Sequence, residues 1–436
     1  MSYGESAPDD PVVIAGMAVE APGGVDSPGA LWSALAESRE LIGPLPRDRG
    51  WPLGDLLVSV ARLDGWKPVC DAGGFLDGAM TFDSSFFGIS SHEAAAMHPQ
   101  QRVATRVAYR ALENAGINPG ALAGESVGCF VGMSPTEYGS GAAVADDYTG
   151  YRITGIGQLG GAARISHTLG LTGPSITVDT ACASSLTAVH LAATAIAADE
   201  CEWAIAGGVC VMGTPAVFYE FARLNALSDD GHCRAFSSDA SGTVWGEAAG
   251  MVIVERQSRA RQLGHQVYGH ILGIRTNHNG KGKPMLVPRM RAQEQVIRKA
   301  LDAAGIDPAD VGMIEGHGTA TPVGDPVELH ALFNTYGAAG SPALLGSIKS
   351  NIGHPQAASG ILGLIKVLLA GLHGHIPATL FSDNPTKQMD WDTTGIRLAS
   401  KLHPWEPKDG VRYGAVSSYG AGGANSHAVI AMPASA

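Results

Sequence analysis

The sequence lacks the features of a protein that works on a nucleic acid or in a membrane. Its net charge is −12, with 41 acidic against 29 basic residues, so nucleic acid is not expected as a partner. No run of about eighteen apolar residues occurs, so no membrane span is expected. The apolar stretch 361–369 is interrupted by Lys366 and is predicted to be a buried helix.

Cysteine is also scarce, and its spacing excludes the usual metal motifs. The six cysteines form no C-x-x-C pair, and no Cys/His spacing is typical of a zinc site, so no metal is predicted. The N-terminus does not resemble a signal peptide. We therefore expect reduced thiols in a cytoplasmic protein.

Glycine and apolar residues are abundant. Hydrophobic residues make up 45% of the chain and charged residues only 16%, which favours a large core over disorder. The 58 glycines indicate many tight turns and close backbone approaches. A length of 436 residues predicts two domains or one duplicated fold.

A weak internal repeat favours duplication. Residues 111–119 return as 300–308, and in each copy a helix ends at Gly before a Pro-containing turn and an apolar strand. Strands alternating with helices predict buried parallel sheets. The predicted strands are 11–17, 127–133, 175–178, 203–211, 250–255, 311–315, 344–348, 413–417 and 427–432, and the predicted helices are 28–37, 158–169, 184–198, 291–304 and 356–372.

These elements predict an α/β protein with two similar halves. The first half is expected over 11–257, with an irregular elaboration near 39–90, and the second over 258–436. Residues 1–10 are expected to form a flexible leader.

The most informative segment surrounds Cys182. Residues 175–178 predict a short buried strand, and residues 184–198 predict a helix, so Cys182 falls at a strand-to-helix junction. A helix N-terminus favours an anion and is one of the environments that lower a thiol pKa. Cys182 is therefore a candidate nucleophile, although a buried cysteine is more often inert.

Several polar residues follow other predicted strands and could serve this thiol. His317 comes directly after a strand, and His354 lies between a strand and the next helix. Ligands bind at the carboxyl ends of strands in open α/β sheets. Lys349, five residues before His354, is expected to orient that histidine. Thr319 and Thr321 could hold a polar, flexible ligand arm through their hydroxyls.

A Gly-rich turn lies between the last two predicted strands. It comprises Tyr419, Gly420, Ala421, Gly422 and a further glycine. The spacing and the following helix of a phosphate loop are absent. Its backbone N–H groups are instead candidates for half of an oxyanion hole.

Together these motifs resemble the β-ketoacyl synthase family, and specifically the ketosynthase domains of modular type I polyketide synthases. The Cys182, His317, Lys349 and His354 motifs occur in the family's order, and the similarity covers nearly the whole chain. The supporting stretches are 13–17, 22–25, 86–90, 99–102, 242–247 and 324–328.

The resemblance implies a thiolase-like fold, with two duplicated halves in a five-layer αβαβα arrangement and a homodimeric assembly. It also implies a reaction in which Cys182 accepts an acyl chain from an acyl carrier protein. A malonyl-type extender on a second carrier is then decarboxylated, and its enolate attacks the acyl-Cys carbonyl. The implied partners are carrier protein and adjacent polyketide synthase domains. No bound cofactor is implied, because the substrates travel on phosphopantetheine.

The resemblance also implies a role for each site residue. His317 and His354 would donate hydrogen bonds to the enolate oxygen, and Lys349 would hold His354. The backbone N–H groups of Cys182 and Ala421 would bind the thioester oxyanion. The remaining contacts would be to the pantetheine arm, from Thr319 and Thr321, and at an acyl gate formed by Tyr419, Gly420, Ala421 and Gly422.

The sequence departs from the family pattern at several positions. Gly316 and Ala320 stand where Ala and Gly are usual; Gly316 is expected to loosen the backbone, and Ala320 to be tolerated unless it needs a positive φ. Ala421 replaces a bulkier gate residue, which predicts a wider acyl cavity and long or branched chains. His98 replaces Asp and is expected to have a structural role at a helix end.

A basic cluster also departs from the usual neutral loop. Lys281, Lys283 and Arg289, with Arg275 and Arg291, stand out in an acidic chain. The cluster is either a solvated loop or a docking site for an acidic carrier protein or the pantetheine phosphate.

Two alternatives to an elongating synthase remain at this stage. One is a non-elongating acyl-binding or acyl-transfer domain that keeps Cys182. The other is a thiolase or starter synthase that uses coenzyme A, although such enzymes pair the cysteine with a different residue set. The acyl substrate, the extender unit, the module position and the pathway are left open by these residues.

Overall fold

The computed structural model describes residues 10–138 and 147–434. Most of the predicted leader, 1–9, lies outside the described residues. Asp10 is described, and its carboxylate accepts a hydrogen bond of 2.7 Å from the backbone N–H of Ser258.

Strands and helices alternate along most of the chain. The strands are β1 Val12–Glu20, β2 Val127–Gly132, β3 Ser175–Val178, β4 Trp203–Cys210, β5 Ala248–Arg256, β6 Gly269–His278, β7 Val311–Glu315, β8 Leu344–Gly346, β9 His375–Ile376, β10 Arg397–Leu398, β11 His403–Pro404, β12 Val411–Tyr419 and β13 Ala424–Pro433. The helices are α1 Pro28–Ala36, α2 Ser91–Ala96, α3 Pro99–Asn114, α4 Arg152–Gly155, α5 Gly160–Leu169, α6 Ser184–Ala197, α7 Ala216–Arg223, α8 Gln257–Leu263, α9 Met290–Ala304, α10 Gly324–Phe333, α11 Lys349–Ile352 and α12 Ser359–His373.

The sheet topology shows the duplication directly. The strands of the first half lie in the order β1-β5-β4-β2-β3, and those of the second half in the order β6-β13-β12-β7-β8. Each half has parallel neighbours at its outer end and antiparallel neighbours at its inner end. The two half-sheets meet where β1 pairs with β6. We propose that the halves divide at the start of α8, in line with the predicted 257/258 boundary.

The elements stack in five layers. Helices α3 and α5 cover the outer face of the first half-sheet, and α9 with α10 covers the outer face of the second. Helices α6 and α12 lie between the two half-sheets and contact both. This is the αβαβα arrangement expected from the resemblance, and that expectation is confirmed.

Local sequence explains several element boundaries. Helix α1 begins after Ser27, whose hydroxyl caps the Ala30 N–H, and has Pro28 in its first turn. Helix α9 ends at Gly305, which has a φ of 65°, as the Gly-terminated repeat predicts. Strands β3 and β7 have the predicted bounds.

The prediction that β3 is buried is wrong. Ser175 and Ile176 are exposed, because β3 is the last strand of the sheet and pairs with β2 alone. An apolar run of four residues does not distinguish a central strand from an edge strand. Strand β6, rich in Gly and His, is a further element that the apolar pattern did not reveal.

The predicted elaboration near 39–90 consists mainly of irregular chain with two short helical turns at Asp55–Ser59 and Val60–Arg62. A buried ion pair between Arg49 and Glu247 joins it to the chain before β5. Glu247 also accepts a hydrogen bond of 3.1 Å from the Leu76 N–H.

One helical segment, Gln356–His373, is long and apolar enough to cross a membrane by length and composition alone. Within its apolar window, 83% of the residues are buried inside the protein. The prediction of a buried core helix around 361–369 is confirmed, because α12 lies in the central layer.

Candidate active site

Cys182 sits in the tight connection between β3 and α6. The preceding residue, Ala181, has a φ of 53°, an uncommon conformation for a residue with a side chain. The Cys182 carbonyl accepts a hydrogen bond of 2.7 Å from the Ser418 hydroxyl at the end of β12. This contact fixes Cys182 of the first half against the second half.

The structure brings the predicted thiol and imidazoles together. One side-chain donor atom from each of Cys182, His317 and His354 lies within 4.8 Å of the others, and all three residues are buried. The two imidazole rings are 5.3 Å apart, edge to face. His317 follows β7, and His354 follows α11 in the connection between β8 and α12.

The Cys182 thiol does not have the lowered pKa that its place beside a helix N-terminus predicted. Burial raises the pKa of Cys182 to about 11, against the influence of the Lys349 ammonium and of N–H groups from Ala421 and Cys182 itself. The helix N-terminus favours the thiolate, but the free-energy cost of burying that charge is larger. The resting group is therefore a neutral thiol, whose proton must leave as it reacts.

Both histidines are neutral at physiological pH. Burial, reinforced by the Lys349 ammonium, holds the pKa of His317 and of His354 well below the usual range. The His354 Nδ1 accepts a hydrogen bond of 3.2 Å from the Gln356 N–H, so its Nε2 carries the proton. Among the described residues, the His317 Nδ1 has no hydrogen-bond partner.

Lys349 is a buried cation at the centre of this charge arrangement. Burial lowers its pKa, against the effect of the Glu315 and Glu328 carboxylates. Its positive charge lowers the pKa of both histidines and of Cys182. Lys349 therefore acts on the whole cluster rather than on one histidine.

Two buried carboxylates, to which the sequence pattern gave no role, lie beside the site. Glu328 accepts hydrogen bonds from the His317 and Gly318 N–H groups, at 2.6 and 2.8 Å. Asp325 accepts one of 2.7 Å from the Phe236 N–H. Burial raises the pKa of each carboxyl to about 7. Both lie in the stretch 324–328, one of those that support the family resemblance.

A cavity of about 140 Å³ leads to the cluster. Thr319 and Thr321 line it, and their hydroxyl oxygens are 3.1 Å apart. Trp245 forms part of the wall, and its ring is 5.2 Å from that of His354. The structure therefore brings the two threonines to the cavity that Cys182 shares.

The Gly-rich turn closes over the cavity. Tyr419 is buried with its ring 5.6 Å from that of His317, whereas Ala421 and Gly422 are exposed. Gly420 lies so near the chain that a Cβ there would be 2.2 Å from the Thr180 carbonyl oxygen. The backbone N–H of Ala421 counteracts part of the rise in the pKa of Cys182. The turn thus brings Ala421, which is expected to supply one of the two oxyanion donors, near the thiol.

The departures in the His317 loop have a structural basis. A Cβ at Gly316 would lie 2.7 Å from the Phe236 ring, so glycine makes room for that ring rather than only loosening the backbone. Alanine is expected to be tolerated at position 320 unless the backbone there has a positive φ. Ala320 does have a positive φ, of 61°, so its backbone is strained. Its methyl is fully buried against Cys233 and Val244, which offsets part of the strain.

His98 caps helix α3. Its Nδ1 accepts a hydrogen bond of 3.0 Å from the Gln100 N–H, and its Nε2 is 2.6 Å from the Thr136 hydroxyl. Burial and the nearby Arg102 lower its pKa to about 4. The neutral imidazole thus supplies the acceptor that the expected helix-end role requires.

The structure divides the predicted basic cluster. Lys281, Lys283, Arg275 and Arg291 are exposed, whereas Arg289 is half-buried. The Arg289 guanidinium donates a hydrogen bond of 2.6 Å to the Asn279 carbonyl.

The thiol and the two imidazoles form a donor set of the kind that binds Zn²⁺. The buried Lys349 ammonium interacts with all three groups and disfavours a second cation among them. The charges present thus suit an anionic or polarised acyl ligand better than a metal.

Comparisons to known proteins identify the family of this chain. The β-ketoacyl synthase N-terminal domain model matches residues 9–260, and the C-terminal domain model matches 268–382. The chain belongs to the β-ketoacyl synthase family. It is thus an acyltransferase of the condensing type, and its buried cluster contains one cysteine and two histidines.

Relatives in polyketide biosynthesis are similar over nearly all of this β-ketoacyl synthase. It is 44% identical to erythronolide synthase EryA2 of Saccharopolyspora erythraea over 97% of the chain and 12% of that protein. It is 45% identical to pikromycin polyketide synthase component PikAII of Streptomyces venezuelae over 97% of the chain and 11% of that protein. The chain spans 6 to 20% of the length of such curated relatives.

Solved structures show the same fold. The oxazolomycin ketosynthase domain OzmH KS7 of Streptomyces albus superposes with a TM-score of 0.90 at 36% identity, covering 98% of this chain and 76% of that one. The ketosynthase from module 6 of the bacillaene synthase of Bacillus subtilis gives a TM-score of 0.86 at 33% identity, covering 97% and 72%. The chain is therefore a ketosynthase of the polyketide synthase type.

Proposed function

We propose that this ketosynthase lengthens an acyl chain by decarboxylative condensation with a malonyl-type extender, both carried on phosphopantetheine of acyl carrier protein. The observation that carries the proposal is the buried cluster of one thiol and two neutral imidazoles. A neutral imidazole can donate a hydrogen bond to an enolate oxygen without forming a permanent ion pair.

Loading is a thioester exchange at Cys182. The sulfur attacks the acyl carbonyl, the carrier thiolate leaves, and the Cys182 proton passes to that thiolate. The N–H groups of Cys182 and Ala421 stabilise the oxyanion that forms. Lys349 favours the anionic sulfur during the attack.

Condensation takes place at the imidazoles. The extender loses CO₂, and the electron pair of the broken C–C bond becomes an enolate whose oxygen accepts hydrogen bonds from His317 and from the Nε2–H of His354. The enolate carbon attacks the acyl-Cys182 carbonyl, and Cys182 leaves as a thiolate that is protonated again. Glu328 holds the backbone of the His317 loop in place by accepting hydrogen bonds from the His317 and Gly318 N–H groups.

The test is to supply acyl-carrier and malonyl-type-carrier substrates together. Mass spectrometry should show acylation of Cys182, release of CO₂ and a β-ketoacyl-carrier product. Acylation without CO₂ release would indicate the non-elongating alternative. Product formation from coenzyme A thioesters alone would indicate the thiolase or starter-synthase alternative.

The same proposal includes a homodimer formed through β3. This edge strand leaves Ile176 43% exposed, and Ile153 and Leu159 nearby in sequence are 76% and 55% exposed. An exposed apolar edge strand pairs readily with another chain. We expect Ile176→Asp to raise the dimer dissociation constant at least about tenfold in analytical ultracentrifugation, and Leu402→Asp, at an exposed site away from β3, to leave it unchanged.

Ala421 is proposed to widen acyl acceptance. Its small side chain lies on the exposed turn beside Cys182, where a larger residue would narrow the cavity. Ala421→Phe should reduce Cys182 acylation by long or branched acyl thioesters more than by acetyl thioester. Equal reductions for all chain lengths would contradict this role.

A further inference from the structure

A loop beside the catalytic cavity is built to project from the protein surface. Its first end is held by the Asn279 N–H, which donates 2.8 Å to the Gly423 carbonyl of the Gly-rich turn. Its other end is held by Arg289, which donates back to the Asn279 carbonyl. The Nδ1 of His278 accepts a hydrogen bond from the Gly280 N–H, and its Nε2 donates to the Gly422 carbonyl. The base of the loop is thus fixed to the turn that carries Ala421.

Between these anchors, the loop exposes two cations followed by two apolar side chains. Lys281 and Lys283 are exposed, and Met285 and Leu286 are 73% and 56% exposed. Met285 and Leu286 also line the cavity that contains Cys182. The loop therefore forms the outer rim of that cavity, with its apolar part nearer the thiol.

The charge of this region differs from that of the whole chain. No Asp or Glu occurs from Arg256 to Gln293, although the chain carries a net charge of −12. No carboxylate of the loop itself therefore neutralises Lys281 and Lys283. An anionic ligand at the rim would meet a local positive field on an otherwise acidic protein.

We propose that Lys281 and Lys283 bind the phosphodiester of the phosphopantetheine arm, while Met285 and Leu286 contact the arm where it enters the cavity. The inference rests on the proposed function, because that function supplies the ligand. An arm of this kind has an anionic end, followed by a stem that carries a dimethyl group and methylene groups between its amides. The loop presents its two lysines at the outer rim and its two apolar side chains at the cavity, in the same order.

The proposal separates the lysines from Arg289. The Arg289 side chain serves as an anchor of the loop, so its removal would disturb the loop itself. Lysine ammonium groups bind phosphate as point charges without a fixed approach direction. The two lysines are therefore the residues to test.

The experiment measures the rate of Cys182 acylation with three donors that carry one acyl group. The donors are an acyl-carrier protein, an acyl-phosphopantetheine thioester, and an acyl-pantetheine thioester that lacks the phosphate. We expect Lys281→Gln with Lys283→Gln to raise KM about tenfold for the first two donors at low salt and to leave the third unchanged. The matched control replaces Lys387 and Lys401, which are exposed elsewhere, by Gln.

Three results would overturn the inference. A change with the carrier protein alone would assign the lysines to the carrier surface. An equal change with all three donors would indicate that the substitutions disturb the loop. No change with any donor would show that the two lysines are solvated and bind no part of the donor. Failure of the unaltered ketosynthase to be acylated by any donor would instead contradict the proposed function.

Discussion

The two halves of the ketosynthase share one topology and differ in what they place at the shared site. The first half supplies a thiol at the start of its inner helix α6. The second half supplies both imidazoles and the buried ammonium of Lys349. Duplication therefore produced two similar scaffolds, and in the proposed mechanism one loads the acyl group while the other controls charge during condensation.

Equivalent positions show how the difference was built. Gly132 and Glu315 are the last residues of the equivalent strands β2 and β7. A Cβ at Gly132 would lie 2.5 Å from the α6 backbone, so glycine lets that helix begin close to the strand. Glu315 instead forms a buried ion pair of 2.7 Å with Lys366.

The largest expected effects come from substitutions that separate acylation at Cys182 from CO₂ release at the imidazoles. Cys182→Ala should abolish acylation and condensation but leave CO₂ release from the extender within about tenfold, because the imidazoles remain. His354→Ala should lower CO₂ release about 10²–10³-fold and leave acylation within about tenfold, and His354→Asn should recover part of the loss by keeping an N–H donor. Cys70→Ala serves as the control. Parallel losses of both steps in both variants would contradict this division.

The buried ion pair is the next test of the comparison. Lys366→Met should lower the free energy of unfolding by about 3–5 kcal/mol, because it leaves the Glu315 carboxylate buried without its cation. Chemical denaturation measures this loss. Lys366→Met combined with Glu315→Gln should recover most of it, and equal losses in the single and double variants would show that packing dominates.

Gly316→Ala should lower the free energy of unfolding by about 1–3 kcal/mol. The added methyl would lie 2.7 Å from the Phe236 ring, so the ring or the His317 loop must shift. Adding Phe236→Leu should reduce the penalty of Gly316→Ala. If Gly316→Ala were neutral alone, Phe236 would not be the reason for glycine at this position.

The equivalent outer helices α3 and α9 differ in their caps, since His98 caps α3 and no side chain caps α9. The His98 pKa of about 4 lies below the unfolded value near 6.5, so below pH 6.5 the unfolded state binds a proton that the folded state excludes. The stabilisation is lost as pH falls from about 6.5 towards 4. Between pH 7 and pH 5, His98→Asn should remove up to about 2 kcal/mol of this pH dependence in urea denaturation. An unchanged pH dependence would show that His98 is not the group concerned.

The smallest expected effect concerns the conformation of Ala320. Ala320→Gly removes the strain of a φ of 61° but also a buried methyl, so we expect stabilisation of less than about 1 kcal/mol by thermal denaturation. Ala320→Val should be clearly destabilising at the same position. Equal melting temperatures for Gly, Ala and Val would show that backbone strain has no part here.

The sequence predicted much of this architecture because its signals were local. The Gly-terminated repeat indicated two halves, and Cys182, His317 and His354 each follow a predicted strand. The raised pKa of Cys182 could not be read in this way, because it depends on burial by segments distant in sequence. The contacts of Glu328 also depend on a distant loop. An acidic residue in a predicted helix does not indicate that its carboxylate accepts hydrogen bonds from two backbone N–H groups.

The central layer has a consequence for how the chain matures. Helix α6 covers β2 and β4 on the inner face of the first half-sheet, and α12 covers β5, where Ile361 and Ile365 pack directly over Gly250. During synthesis α6 precedes β5, whereas roughly a hundred residues separate the end of β5 from the start of α12. Until α12 leaves the ribosome, the nascent first half therefore keeps the apolar inner face of β5 uncovered. The central layer of this ketosynthase is completed only after most of the chain has been translated.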